Sequence, residues 1–520
     1  MPSRRRFLMT SAGVMLATPL AGALGSMAGR TPFALGVASG APRPDRVTLW
    51  TRIAPDPLAG GGAPDEDLEV RCLVARDPAF GEIVLDRRVP APRADAHSVH
   101  FTVEGLAPGS DYFYRFELGE DASPVGRTRT APAADADSPL RLAVASCQHY
   151  EAGFFAAWRD VAEAAPDLVV HLGDYIYEYG PRPLGRTPHP RIPGVELEVL
   201  RQHASPEVRS LFEYRNRYAQ YRLDPDLQAA HAAAPWLVSF DDHEVDNNWA
   251  GTVPEDPERQ TPLEFRVRRR AALQAWWEHM PLDRRPRFDE VDASVEAHGR
   301  WRFGRQLELL LLDTRQYRSD QPCGQGFPAD LHCEDRRDPR LSMLGGAQRR
   351  WLDRALGRGD ARWTVLAQQT WFSPFAYPGD RWNMDQWDGY TAEREALIRA
   401  LAAPRVSNPV VLGGDWHYGA AFDVPSDPAN PESAPAAAEF DVASISTPCL
   451  WASAVDAAAP GNPHMRYSGG DRRGWLDCRV DAEGFAGEFR VVADPTDAAS
   501  AIVGDRTLRV AAGRRGLEAG

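Results

Sequence analysis

Four short polar segments carry the residues of this 520-residue chain that could do chemistry together. Each follows an apolar run. They are Ser146-Cys147-Gln148-His149, Gly173-Asp174-Tyr175-Ile176-Tyr177, Asp241-Asp242-His243-Glu244 and Gly413-Gly414-Asp415-Trp416-His417. Between them they offer thiolate, carboxylate, phenolate and imidazole. Thiolate and phenolate suit ferric iron, and carboxylates suit an oxygen-loving divalent ion. Two such ions side by side serve one reaction class, metal-assisted hydrolysis of a phosphate ester.

The spacing supports shared ligation. Asp174 stands at a strand end, where one carboxylate can bridge two metals. Tyr177, three residues on, can reach the same ion. Asp415 and His417 are two apart, so in extended chain they aim at one face and could serve one metal each. Asp242 offers a hard oxygen, and His243 beside it would lie near a leaving group. Singly, each residue has a plainer reading. An Asp after a strand caps a turn, a buried Tyr packs with its hydroxyl bonded, and a buried Cys acts as a small apolar side chain. His171, inside an apolar run, reads as a core histidine, and Asp313-Thr314-Arg315 as a structural salt bridge. The ordered set of four segments carries the metal reading.

Positioning them requires a particular scaffold. Leu140–Ala145, Leu168–Leu172, Trp236–Phe240, Leu307–Leu312, Thr364–Ala367 and Val410–Leu412 are compact apolar runs. Such runs suit strands buried on both faces, alternating with helices. In such folds functional groups gather beyond the strand ends. Ser205-Pro206-Glu207 reads as a helix start, with the helix running through Tyr218. From about Phe33 to Thr130 the pattern is instead all-β, with short strands such as Val47–Thr51, Leu68–Val74, Val99–Val103 and Tyr112–Phe116 between turn signals. That stretch suggests an immunoglobulin- or fibronectin-like β-sandwich. The Ala/Asp/Pro stretch Ala131–Ser138 marks a boundary. The expected division is residues 1–30 as an export signal, 31–134 as the sandwich and 135–520 as an α/β catalytic domain. Residues 180–194 and 371–390 read as loops, the first a candidate rim of the site.

Composition narrows the class. The chain is 43% apolar and 25% charged, with a net charge of −14. An acidic balance argues against a nucleic-acid scaffold, which needs a basic footprint. All 59 cationic side chains are Arg. The opening Ser3-Arg4-Arg5-Arg6-Phe7-Leu8, followed by an apolar stretch too short to span a bilayer, resembles a twin-arginine export signal. The protein is therefore expected to be exported, periplasmic or secreted, with no membrane span in the mature chain. Six cysteines then meet an oxidising compartment. Cys323 with Cys333, and Cys449 with Cys478, could pair. Cys147 is expected to stay free.

The whole series resembles the calcineurin-like metallophosphoesterases, with specific departures. Cys147, Asp242 and Asp415 stand where the wider superfamily has Asp, Asn and His. Those departures resemble the alkaline phosphatase D (PhoD) family. Further segments extend the likeness over nearly the whole mature chain, among them Gly36-Val37-Ala38-Ser39-Gly40, Tyr214-Arg215-Asn216-Arg217-Tyr218, Asp246-Asn247-Asn248-Trp249 and Arg473-Gly474-Trp475. The resemblance implies a four-layer α/β/β/α catalytic domain. It implies ferric iron (Fe3+) held by Cys147, Asp174, Tyr177 and His417. It also implies calcium (Ca2+) held by Asp242 and Asp415, with Asp174 bridging, and a second calcium whose ligands it does not assign. The superfamily's later His has no counterpart; Gln369 occupies its place.

The expected reaction is in-line hydrolysis by a metal-activated hydroxide. His243 would protonate the leaving oxygen or bond a phosphoryl oxygen. Asn247 or Asn248, and a nearby Arg such as Arg215, would hold the phosphoryl oxygens. Partners are small phosphoester substrates and the twin-arginine export machinery, and the protein is expected to be a monomer. Two alternatives are a phosphodiesterase specialised for wall polymers or phospholipids, and a non-catalytic phosphate- or carbohydrate-binding protein.

Overall fold

A computed structural model describes residues 31–189, 194–324 and 333–520. The expected export signal, residues 1–30, lies outside the described residues. Two large sheets face each other. The first runs, from one edge to the other, through Glu518–Ala519, Ile502–Ala511, Gly484–Val492, Gly474–Val480, Leu140–Ala145, Leu168–His171, Pro235–Val238, Val37–Arg43, Arg46–Arg52 and Ser98–Glu104. The second runs through Gly299–Phe303, Leu307–Leu311, Trp363–Ala367, Pro409–Gly413, Pro435–Asp441, Ala420–Pro425 and Met465–Ser468.

Period-two alternation explains why the central strands read as unbroken apolar runs. Leu142, Val144, Leu168 and Val170 point into the core between the sheets, where they meet Leu309, Leu311, Val365, Val410 and Leu412. Their neighbours Ala143, Ala145 and Val169 face the opposite side, against Trp158, Tyr218, Leu227 and Trp276 of a helical layer. On the far side of the second sheet, Leu310, Leu366 and Val411 pack on Leu352, Leu397 and Ile398. The result is helix, sheet, sheet, helix, with both sheets buried on both faces.

The N-terminal strands extend this arrangement. Val37–Arg43 pairs in parallel with Pro235–Val238, placing Ser39 opposite Pro235 and Gly40 opposite Trp236. Val37–Arg43, Arg46–Arg52 and Ser98–Glu104 thus continue the first sheet. A separate sheet of Ile83–Ala91, Leu68–Ala75, Asp111–Leu118, Asp121–Ala122 and Gly126–Arg129 shares a core with them, formed by residues such as Val47, Leu49, Val70, Val74, Tyr114 and Phe116.

Local signals set the helices. The helix Leu211–Arg222 starts at Ser210, whose side chain and Glu213 make a reciprocal capping box. This corrects the expected start at Ser205-Pro206. Those residues stay in a loop because their carbonyls receive the Arg217 guanidinium, at 3.1 Å each. Thr261 and Glu264 cap Pro262–His279 in the same way. Asp224, before a proline, caps Pro225–Ala233.

Cys323 and Cys333 form a disulfide, while Cys147, Cys449 and Cys478 are free and buried. The suggested Cys449–Cys478 pair is not made. Cys478 faces the core between the sheets, and Cys449 an aromatic cluster with Trp416 and Tyr418. The C-terminal Ile502–Ala511 and Glu518–Ala519 are strands at one edge of the first sheet. Among the described residues no helix is long and apolar enough to cross a membrane.

Candidate active site

The four segments converge where strands of the two sheets end. Cys147 follows Leu140–Ala145, Asp174 follows Leu168–His171, Asp242 follows Pro235–Val238, and Asp415 follows Pro409–Gly413. The turns are tight enough to force unusual backbone. Cys147 (φ 59°), Asp174 (φ 58°), Asp415 (φ 63°) and His417 (φ 54°) all sit in the left-handed region. That region is costly for side chains with a Cβ and concentrates at functional sites. Gly173 makes the crowding possible. With φ 120°, a Cβ there would lie 2.5 Å from both Cβ and backbone N of Asp241.

Backbone amides lock the loops together. Cys147 N donates to Gly173 O (3.1 Å) and Gln148 N to Asp174 O (3.0 Å). The fully buried Glu244 carboxylate accepts from three amides, those of Asp174 (3.0 Å), Tyr175 (2.6 Å) and Asp241 (2.7 Å). Burial pushes this carboxyl up to about 8, against the pull of those amides. Thr447 donates to Cys147 O (2.7 Å), and its Oγ1 lies 3.1 Å from the Tyr177 hydroxyl.

Three overlapping groups of side chains can hold metal ions. Ligand atoms of Cys147, Asp174 and His417 lie within 4.8 Å of one another, as do those of Asp174, Asp242 and His243, and those of Asp241, Asp242 and Asp415. Asp174 links the first two groups and Asp242 the last two. Tyr177 joins the first: its hydroxyl donates to Asp174 Oδ2 (2.8 Å) and lies 3.1 Å from His417 Nε2. The first group therefore mixes sulfur, phenol, imidazole and carboxylate, and the last is all oxygen. Asp242 Oδ1, buried, accepts no hydrogen bond from the chain. An orphaned carboxylate oxygen amid buried acids is the environment a multivalent cation satisfies.

Electrostatics point the same way. Burial, then the charge of Asp174, pushes the Cys147 thiol well up, and the same two causes raise the Tyr177 hydroxyl. Burial also raises Asp174 and Asp415. Each of these groups would ionise readily only beside a strong positive charge. Burial opposes ionisation of Asp242, yet His243 and Arg315 outweigh it and hold that carboxyl well below the usual range. His243 behaves conversely. Burial disfavours its cation, but Asp242, Glu178 and Asp174 raise it well above the usual imidazole range. Its Nδ1 pairs with Glu178 Oε2 at 2.8 Å, and its ring packs 4.1 Å from that of Tyr177.

Residues 142–489 match the sequence pattern of "PhoD-like phosphatase", and residues 19–132 that of "PhoD-like phosphatase, N-terminal domain". The chain belongs to the PhoD-like phosphatase family. It is 41% identical over 481 residues to alkaline phosphatase D of Bacillus subtilis (strain 168), spanning 91% of this chain and 79% of that one. It also matches a solved structure of PhoD with TM-score 0.86 and 39% identity, covering 94% of this chain and 92% of the other. Purple acid phosphatase PPD1 from yellow lupin (Lupinus luteus) seeds has TM-score 0.53 and 11% identity, covering 93% of this chain and 74% of that one. That second likeness concerns the fold alone. The protein is a phosphatase of the PhoD-like family, with residue groups able to hold metal ions at its centre.

Within this PhoD-like site, not every expected residue reaches the cluster. Cys147, Asp174, Tyr177, Asp242, His243, Asp415 and His417 do. Arg215 does not: its guanidinium makes two hydrogen bonds, of 2.6 and 2.5 Å, to the buried Glu278 carboxylate. Asn247 sends its side-chain amide to Glu255 (2.5 Å), while its backbone N–H donates to Glu178 (3.1 Å). Asn248 donates its backbone N–H to Asp242 Oδ2 (2.7 Å). Gln369 holds the turn before Arg315, accepting from Thr314 and donating to Leu312 O (3.0 Å).

Arg315, read from sequence as part of a structural salt bridge, does make buried salt bridges, and it makes them to acids of the site. It donates to Asp241 and to Asp385, and its Nη2 lies 3.7 Å from Asp242 and 3.6 Å from Asp415. Arg318 also reaches Asp385. Glu178, Thr447 and Asp385 were passed over by the sequence reading, and Asp241 and Glu244, though quoted in the third segment, were given no role there. For Glu178, one signal existed: it immediately follows Tyr177. His171 is a core histidine as expected, buried between Trp158 and Trp236.

Proposed function

We propose that this chain is an exported PhoD-type alkaline phosphatase that hydrolyses phosphate monoesters and diesters. The observation that carries the reading is the chain of shared carboxylates: Asp174 belongs both to a sulfur-, phenol- and imidazole-bearing group and to a group with Asp242 and His243, and Asp242 belongs in turn to an all-carboxylate group with Asp241 and Asp415. In this reading Cys147, Asp174, Tyr177 and His417 hold ferric iron, and Asp174, Asp242 and Asp415 hold calcium. Bound there, the ions supply Lewis-acid stabilisation of charge at the phosphoryl group.

The chain's own residues supply the rest. His243, its Nδ1 engaged by Glu178, keeps Nε2 to give a proton to the departing oxygen or a hydrogen bond to the phosphoryl group. Arg315, 3.7 Å from Asp242 and 3.6 Å from Asp415, offsets their charge. Residues 1–30 are read as the twin-arginine signal that takes the protein to the periplasm or beyond. Residues 31–134 are read as a β-sandwich module and 135–520 as the catalytic domain.

Asp174→Asn tests the centre. Activity and metal content should fall together to background, and a variant that keeps full activity sinks the assignment. Comparing turnover of p-nitrophenyl phosphate and its bis-ester measures the preference between mono- and diesters.

A further inference from the structure

A cavity of about 270 Å³ lies away from the metal-ligand cluster. It sits where Val37–Arg43 and Pro235–Val238 of the first sheet approach the edge strand Gly299–Phe303 of the second. Its walls hold donors that the fold does not use. Trp276 is fully buried and Trp301 is 9% exposed, and the Nε1–H of each meets no acceptor of the chain. Arg43 Nε is likewise buried without an acceptor, as is His298 Nδ1 without a partner. Indole and guanidinium groups donate and cannot accept. The missing partner must therefore bring acceptor oxygens.

Arg43 is held in place for this. Its Nη1 donates to Arg300 O (2.7 Å), and its guanidinium packs 5.0 Å from the Trp301 ring. Arg284 and Arg300 line the same cavity, as do the carboxylates Asp283 and Glu296; Arg284 pairs with Glu296, and Arg300 with Glu308 and Asp360. Burial lowers the pKa of Arg43; Asp283 is the next largest influence and raises it, and Arg46, Arg284 and Arg300 each lower it by less. An anion can take up the unpartnered Arg43 Nε–H together with the two indole N–H groups. The volume falls just below the roughly 300–1,000 Å³ of pockets for drug-sized ligands, so the occupant is small.

We propose that this cavity is a binding site for a small oxyanion of the phosphate or sulfate type, held by Arg43, Trp276 and Trp301 and separate from the catalytic centre. The site does not depend on the catalytic reading above. Its wall nonetheless touches the catalytic scaffold: Gln316 bonds the backbone of the lining residue Val295 in both directions (3.1 and 2.8 Å). Gln316 is the residue after Arg315.

Calorimetric titration of the metal-loaded protein with inorganic phosphate, and separately with sulfate, tests it. The titrations use the wild type, Asp242→Asn to disable the catalytic site, Trp301→Phe and Arg43→Gln. The expected result is a binding event that survives in Asp242→Asn and weakens at least about tenfold in both Trp301→Phe and Arg43→Gln. Phosphate and sulfate tell the natural occupant's class apart by their relative affinity. A crystal soaked in selenate should show an anomalous peak inside this cavity. Phosphate and sulfate binding that vanishes wholly in Asp242→Asn overturns the proposal, as does a selenate map without that peak. Thermal unfolding of Trp301→Phe, which keeps the ring and loses only the N–H, separates lost binding from lost fold.

Discussion

At the scale of single residues, the site works through groups that touch one another rather than solvent. Glu178 is the clearest case. It never reaches the ligand cluster, yet it fixes which nitrogen His243 turns inward and also accepts the Asn247 amide. Glu178→Gln keeps the shape and removes the charge. The expected outcome is unchanged metal content with kcat/KM down on the order of tenfold or more, since partners of site histidines typically carry that much. Metal analysis beside steady-state kinetics checks it, and unchanged kinetics would remove His243 from the proposed proton path. Arg215 makes the contrast. Its partner Glu278 has no exposed side-chain surface, and the arginine is 21% exposed. Arg215→Gln should cost about 2 kcal/mol by stranding a buried carboxylate, discounted for the arginine's partial solvation. Turnover should stay within about twofold of wild type. A large loss of kcat at full stability would return Arg215 to the catalytic machinery.

At the scale of elements, the informative unit is the strand-to-loop corner. Asp174 and Asp241 lie on adjacent corners that Gly173 allows to approach and that Glu244 ties by three amides. Gly173→Ala would drive a methyl group into the Asp241 backbone at a positive φ. We expect a loss of about 3 kcal/mol or more, with metal affinity falling alongside. Denaturant unfolding and metal titration read the two effects, and a stable variant with normal metal content would show the corner to be softer than its geometry implies. The turn Asp313–Gln316 is a second such element. Gln369 and Gln348 grip its backbone, so Arg315 arrives among four aspartates already oriented.

At the scale of the molecule, the first sheet joins segments far apart in the chain, from Val37–Arg43 to Glu518–Ala519. The site lies where this sheet and the second end together, so its acids are buried by both layers at once. That burial stores electrostatic cost which a bound cation relieves. Stripping metal with a chelator should therefore lower activity and the thermal midpoint together, and restoring metal should recover both. A midpoint indifferent to chelation would count against metal as part of the folded centre.

Much of this was legible in the chain itself. The six central strands follow from apolar runs that alternate between two buried faces, and Cys147, Asp174, Asp242, Asp415 and their neighbours follow from their place after those runs. Such signals are local, a matter of period and of the residue next to a strand end. The start of Leu211–Arg222 was misplaced because two competing start signals lie five residues apart, and the Ser210–Glu213 capping box together with the Arg217 contacts decides between them. The roles of Arg315, Arg215 and Cys449 were not legible either. Each depends on what a side chain meets across more than sixty residues of chain, or fails to meet. Residue type and spacing determined which chemistry the protein carries. Only the packing of two sheets determined which charges share a buried volume, because that depends on distance through the fold and not along the sequence.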